Sequence, residues 1–152
     1  MGVVLLFWKY YDECEGGYSM KLDFQVGTSK KAHKIMGKLA GRTDDDKGPK
    51  NEKAPFEKMS DAYLFGLVLG LSRGQKVESI SNRINYANFS SIEGDLDIYS
   101  MIKLFGTQED YSDKDTIRNS IEAYATWGLL HIEENYIYGD DDYRLAELFR
   151  NE

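Results

Sequence analysis

Few side chains in this 152-residue chain have the types and spacing that do chemistry. There is one cysteine, Cys14, and there are two histidines, His33 and His131. A thiol nucleophile needs a base within hydrogen-bond reach. Cys14 falls in the stretch DECEGG, which reads as a turn, and nothing in the spacing brings His33 beside it. His131 is followed by Glu133 and Glu134, the pattern of a helix or wing surface. So few Cys and His residues give a structural zinc site nothing to build on. The triple aspartate Asp44, Asp45 and Asp46 lacks the alternating ligand spacing and the terminal Glu of a calcium loop. A second run, Asp140, Asp141 and Asp142, precedes RLAELF, and negative charge is favourable at a helix N-terminus. GxSxG, GxGxxG, P-loop and HExxH patterns do not occur. The expectation is a protein that is not an enzyme, with no catalytic residue, no metal and no cofactor.

Recognition is the remaining chemistry. Lys30, Lys34 and Lys38 form an i, i+4, i+8 stripe, with Lys31, His33 and Arg42 beside it. Such a stripe can contact phosphates, or it can be a solvated helix face. The net charge of −7 opposes non-specific binding to nucleic acid, so any DNA contact is expected to be indirect. The charge is split unevenly. Residues 1–92 carry 14 Lys/Arg and 11 Asp/Glu, while residues 93–152 carry 5 and 15. That acidic second half suits a basic protein partner. Aromatics make up 13% of the chain, with 11 tyrosines and two tryptophans, the residues that dominate interface hot spots. Trp8, Tyr10 and Tyr11 gather near the expected N-terminal turn, and Tyr136, Tyr138 and Tyr143 near the C-terminus. The expected docking surfaces are Tyr136, Tyr138 and Asp140 to Asp142, facing a basic partner, and the Trp8, Tyr10, Tyr11 cluster.

These residues must be held by a frame, which the hydropathy pattern outlines. The length suits one domain of α+β, mainly α, class. MKLDFQV alternates apolar and polar from Met20 to Val26, as a half-buried strand does, and VVLLFWKYY before it is rich in β-branched and aromatic residues. Residues 3–26 read as a β-hairpin. Thr28 or Ser29 then caps a basic helix ended by Gly41. Residues 41–53 hold no large apolar side chain and read as a mobile polar loop. Residues 54–152 form the helical core. At its centre, Ala62 to Leu71 is apolar for ten residues, too short for the roughly 20 that a membrane span needs. It reads as a buried helix over 60–73, capped by Ser60 or Asp61 and ended by Gly74, with Ala62, Gly66 and Gly70 on one face for close helix packing. Gln75 to Asn88 reads as irregular or short helix. Asp95 caps the next helix. A further helix starts near Ser112, with Asp115 as its capping-box partner, and carries the stripe Ile117, Ile121, Tyr124 and Gly128. Two endings are open: Gly128 is an internal close-contact residue, or the helix stops near Trp127 and a winged-helix-like C-terminal hairpin follows. The apolar N-terminus lacks a basic n-region and a small-residue cleavage site, so it does not read as a signal peptide. The single cysteine suits a reducing compartment, and a cytoplasmic location is expected.

Two blocks carry a family resemblance. FEKMSDAYLFGLVLGLSRGQKV supplies Phe56, Asp61, Gly66, Gly70 and Gly74, and IEAYATWGLLHIEE supplies Glu122, Tyr124, Ala125, Gly128 and Leu129. In this order they resemble the Dnd system-associated proteins encoded beside the DNA phosphorothioation genes, over residues 54–135. The resemblance implies a non-catalytic accessory or adaptor subunit of a bacterial anti-phage defence or DNA sulfur-modification system, working through contacts with a larger protein subunit. It supplies no catalytic residues. The alternatives are a small bridging, winged-helix subunit of an SMC-like ATPase defence complex and a DNA-binding regulator.

Overall fold

The computed structural model describes residues 22–42, 50–137 and 143–149. They form a mainly helical α+β fold with one two-stranded antiparallel sheet. In chain order the elements are β1 (Gln25–Ser29), α1 (Lys30–Leu39), α2 (Met59–Arg73), β2 (Arg83–Asn88), α3 (Phe89–Glu93), α4 (Ile98–Phe105) and α5 (Lys114–Tyr136). Short 3₁₀ turns occupy Gln108–Tyr111 and Leu145–Phe149.

The apolar run becomes α2, and α5 packs along it. Ala62, Tyr63, Leu67 and Leu71 of α2 are buried against Ile121, Tyr124, Ala125 and Leu129 of α5 and the rest of a continuous apolar cluster. Glycines set the distance between the two helices. A methyl group on Gly128 would lie 1.9 Å from the carbonyl oxygen of Gly66, and one on Gly70 would lie 2.3 Å from that of Tyr124. Backbone therefore rests on backbone at the crossing. Gly74 ends α2 in the left-handed region at φ 62°, and the Gln75 N–H donates to the Gly70 carbonyl. The start of α2 differs from expectation. Lys58 is its N-cap and supplies no side-chain bond, so the first turn relies on packing and not on Ser60 or Asp61.

Gly128 is the internal contact, not a stop, and α5 continues to Tyr136. At 23 residues it is about 34 Å long. Its cap is Asp113, whose Oδ1 accepts from the Thr116 N–H at 2.8 Å, in place of the expected Ser112 box. Residues 128–136 are thus helix where a hairpin was the alternative. Of a wing, the described residues show one bridge, Ile137 to Tyr143, before the last 3₁₀ turn.

The strand also departs from the expected bounds. It begins at Gln25, and its described partner is β2. An upstream hairpin strand would fall outside the described residues. The stretch containing β2 read as irregular or short helix because Asn82, Asn85 and Asn88 look like turn residues. Its alternation of exposed Arg83 and Asn85 with half-buried Ile84 and Tyr86 is that of a strand. Ser29 caps α1, accepting from the Ala32 N–H at 3.1 Å, and α1 buries Ala32, Ile35, Met36 and Leu39. Gly41, at φ 74°, turns the chain after it. The cap of α4 is Asp97, two residues beyond the expected Asp95.

Candidate functional site

The junction of the sheet with α5 concentrates the polar chemistry of the described residues. Its origin is Gly27. The sheet register skips at Val26/Gly27, so Tyr86 on β2 has no opposite residue. A methyl group on Gly27 would fall 2.1 Å from the Ile84 carbonyl oxygen, so the strands approach too closely for any side chain there. Helix side chains take both polar groups of Gly27. Its N–H donates to Glu122 Oε2 of α5 at 3.0 Å, and its carbonyl accepts from the Tyr63 hydroxyl of α2 at 3.1 Å. Tyr63 is fully buried, and burial, with the Glu122 charge nearby, pushes its hydroxyl pKa well above the ordinary value.

Glu122 is 2% exposed, and Arg83 of β2 neutralises it. The guanidinium donates side-on, from Nε to Oε1 and from Nη2 to Oε2, both at 2.7 Å. Its Nη1 donates to Asn85 Oδ1. The bond to Glu122 pushes the Arg83 pKa still higher, so the guanidinium stays charged at any physiological pH. Beside it opens a groove of about 680 Å³, lined by the sheet, the 77–80 segment and α5. The Val77 N–H donates to the Ala123 carbonyl at 3.3 Å and ties that segment to α5.

A second buried carboxylate, Asp110, is 1% exposed at the start of the α5 side of the core. It accepts from Lys76 Nζ at 2.6 Å, the Tyr124 hydroxyl at 2.7 Å, the Thr107 N–H at 2.8 Å and the Ser120 hydroxyl at 3.0 Å. Burial would raise its pKa, but these donors outweigh that and hold it at about 2. Asp110 joins the 75–82 segment, the 3₁₀ turn and α5.

The residues singled out in the sequence fall in several places. Lys30, Lys31 and Lys34 are exposed and, with Asn82, line a shallow recess of about 340 Å³. Lys38 is half-buried at the other end of α1, where its carbonyl accepts from the Tyr143 hydroxyl, and Arg42 is exposed beyond it. Tyr136 corrects the expected docking surface. It is buried at 8% exposure against the edge of the His131 ring, because the apolar stripe of α5 carries on through Ile132 to it. His131 in turn stacks on Trp127 at 4.6 Å, and burial, helped by the Arg73 charge, lowers its pKa. His33 lies against the Tyr86 ring. Trp8, Tyr10, Tyr11, Cys14, Tyr138, Asp140, Asp141 and Asp142 lie outside the described residues. Among the described residues, no group of three or more His, Cys, Asp or Glu side chains is placed to hold a metal ion, and no helix is long and apolar enough to cross a membrane.

Sequence reasoning missed Arg83 and Asp110, and met Glu122 only as part of a motif. A signal did exist. Glu122 sits between Ile121 and Ala123 within an otherwise apolar stretch of α5, and a carboxylate at such a position calls for a buried cation. No protein-family model, curated protein or solved structure matches this chain.

Proposed function

We propose that this protein is a non-catalytic accessory subunit that acts through protein–protein contacts, in a bacterial anti-phage defence or DNA sulfur-modification system. The observation that carries the reading is the state of the groove's charged pair. Glu122 already accepts three hydrogen bonds, and a guanidinium does not give up its proton near neutral pH. A pair so engaged holds a fixed shape for recognition, whereas acid–base catalysis needs a group free to cycle its proton. The motif blocks of the resemblance support the same reading. Gly66, Gly70 and Gly128 form the α2–α5 crossing, and Glu122 holds the sheet, so the residues on which the resemblance rests are scaffold residues. Co-expression with the products of neighbouring genes tests it. A stable complex through size exclusion is the expected result. A chain that stays alone beside every neighbouring product would remove the reading.

The exposed face of Lys30, Lys31 and Lys34 favours a second reading, a DNA-binding regulator. Salt-dependent binding to duplex DNA by the isolated chain would distinguish it.

A further inference from the structure

Arg83 has five N–H donors, and three are engaged: Nε and one hydrogen of Nη2 with Glu122, and one hydrogen of Nη1 with Asn85. Among the described residues, one donor therefore remains on each terminal nitrogen. Each of these can be given to a carboxylate oxygen as a charge-assisted hydrogen bond. The pair is held in place beforehand, since Glu122 is itself anchored to the Gly27 N–H. Arg118 adds a second guanidinium to the groove lining, and its nearest described carboxylate, Asp115, is 3.8 Å away. We infer that this groove takes a carboxylate of an acidic peptide segment from a partner protein, an inference that rests on the adaptor reading above.

The rest of the lining selects a peptide. Gln25 and Asn119 present amides, which donate and accept as a peptide main chain does, beside the apolar Val77 and Ile80, and the exposed Glu78 is the one described lining carboxylate that Arg83 and Arg118 must outweigh besides Glu122. Among the described residues no aromatic side chain lines the groove, so they offer a nucleobase no stacking platform. The volume of about 680 Å³ is in the usual range for a specific site. Because the chain as a whole is acidic, recognition must come from the local guanidinium groups of Arg83 and Arg118 and not from overall charge.

The test titrates the ¹⁵N-labelled full chain with tetraglutamate, tetraglutamine and inorganic phosphate, followed by NMR. Tetraglutamate should shift the Arg83 and Arg118 Nε–H signals and the Asn85 and Asn119 side-chain amides, and tetraglutamine should not. Losing a charge-assisted bond should weaken binding by about tenfold or more in Arg118→Gln. Arg83→Gln would strand Glu122, so Arg118→Gln and Asn119→Ala are the informative variants, with folding checked by circular dichroism. No shift with millimolar tetraglutamate, equal shifts with tetraglutamine, or unchanged affinity in Arg118→Gln would each overturn the inference. Shifts with phosphate alone would overturn the peptide in favour of a phosphate ligand. Should Arg118→Gln still form the wild-type complex with a neighbouring gene's product, the groove assignment falls and the adaptor reading stands. A chain that binds tetraglutamate yet forms no complex removes the adaptor reading while carboxylate recognition survives.

Discussion

Two buried carboxylates show how single residues set the limits of this fold. Asp110 has a pKa of about 2 in the folded chain, below the 3.8 of an unperturbed aspartate. The folded state therefore binds the proton less readily, and stability rises with pH across that interval. The contribution is present in full above about pH 5 and is lost as pH falls through 2; it amounts to about 2 kcal/mol. Urea midpoints measured from pH 7 down to pH 2 should show this fall, and Asp110→Asn should flatten it. An equally steep fall in the variant would place the acid sensitivity elsewhere. Neither carboxylate's partner could be read from the sequence. Lys76 and Asp110 are 34 residues apart, and Arg83 and Glu122 are 39 apart. Nothing in local periodicity pairs residues at such distances. What could be read was the oddity of Glu122 in an apolar stretch, which asks for a partner without naming it.

At the level of elements, the α2–α5 pair decides whether the chain folds. Leu67 is fully buried, so Leu67→Asp would bury an unpaired carboxylate at a cost of several kcal/mol, against a typical total of about 5–15 kcal/mol. Soluble folding should be lost. A subtler test sets one substitution at two sites. Gly128→Ala drives a methyl group into the Gly66 carbonyl at 1.9 Å, where backbone meets backbone and nothing can yield locally. It should destabilise by about 3 kcal/mol or more. Gly37→Ala, in the middle of α1, meets nothing within 4 Å and should stabilise by about 0.5–1 kcal/mol. Thermal melts with shifts of opposite sign are the expected outcome; two losses would mean that α1 is more tightly packed than its surroundings suggest. These helices were legible in the sequence because apolar spacing and small residues are local signals. The Ser29 cap and the Gly74 stop were legible for the same reason. β2 was not, because its asparagines resemble a turn and its partner strand is some 60 residues upstream. The end of α5 was open because Gly128 reads both as a helix stop and as a contact. The stripe from Ile117 through Ile132 to Tyr136 would have decided it.

For the whole molecule, charge is the property that sequence displays most directly, and its placement is what structure adds. The first 92 residues carry 14 cations against 11 anions, yet the chain totals −7. Within that basic half, α1 gathers Lys30, Lys31 and Lys34 at one recess, and Lys38 sits about 12 Å from Lys30 along the axis. Three clustered lysines can neutralise about three phosphates, which predicts a log–log salt slope of about −3. That is a weak footprint beside the 6–10 contacts of committed DNA binders, and the molecule's net charge opposes it. The isolated chain should therefore bind duplex DNA weakly or not at all at physiological salt. At low salt any residual binding should follow that slope, and Lys30→Glu, Lys31→Glu and Lys34→Glu together should abolish it. Lys38→Glu alone should matter little, because the half-buried stem at the far end of α1 lies outside the recess. Fluorescence anisotropy with a labelled duplex across a salt series measures all of this. Sub-micromolar binding at physiological salt, lost in the triple variant, would make the lysine face the working surface and the DNA-binding regulator the better account of the protein.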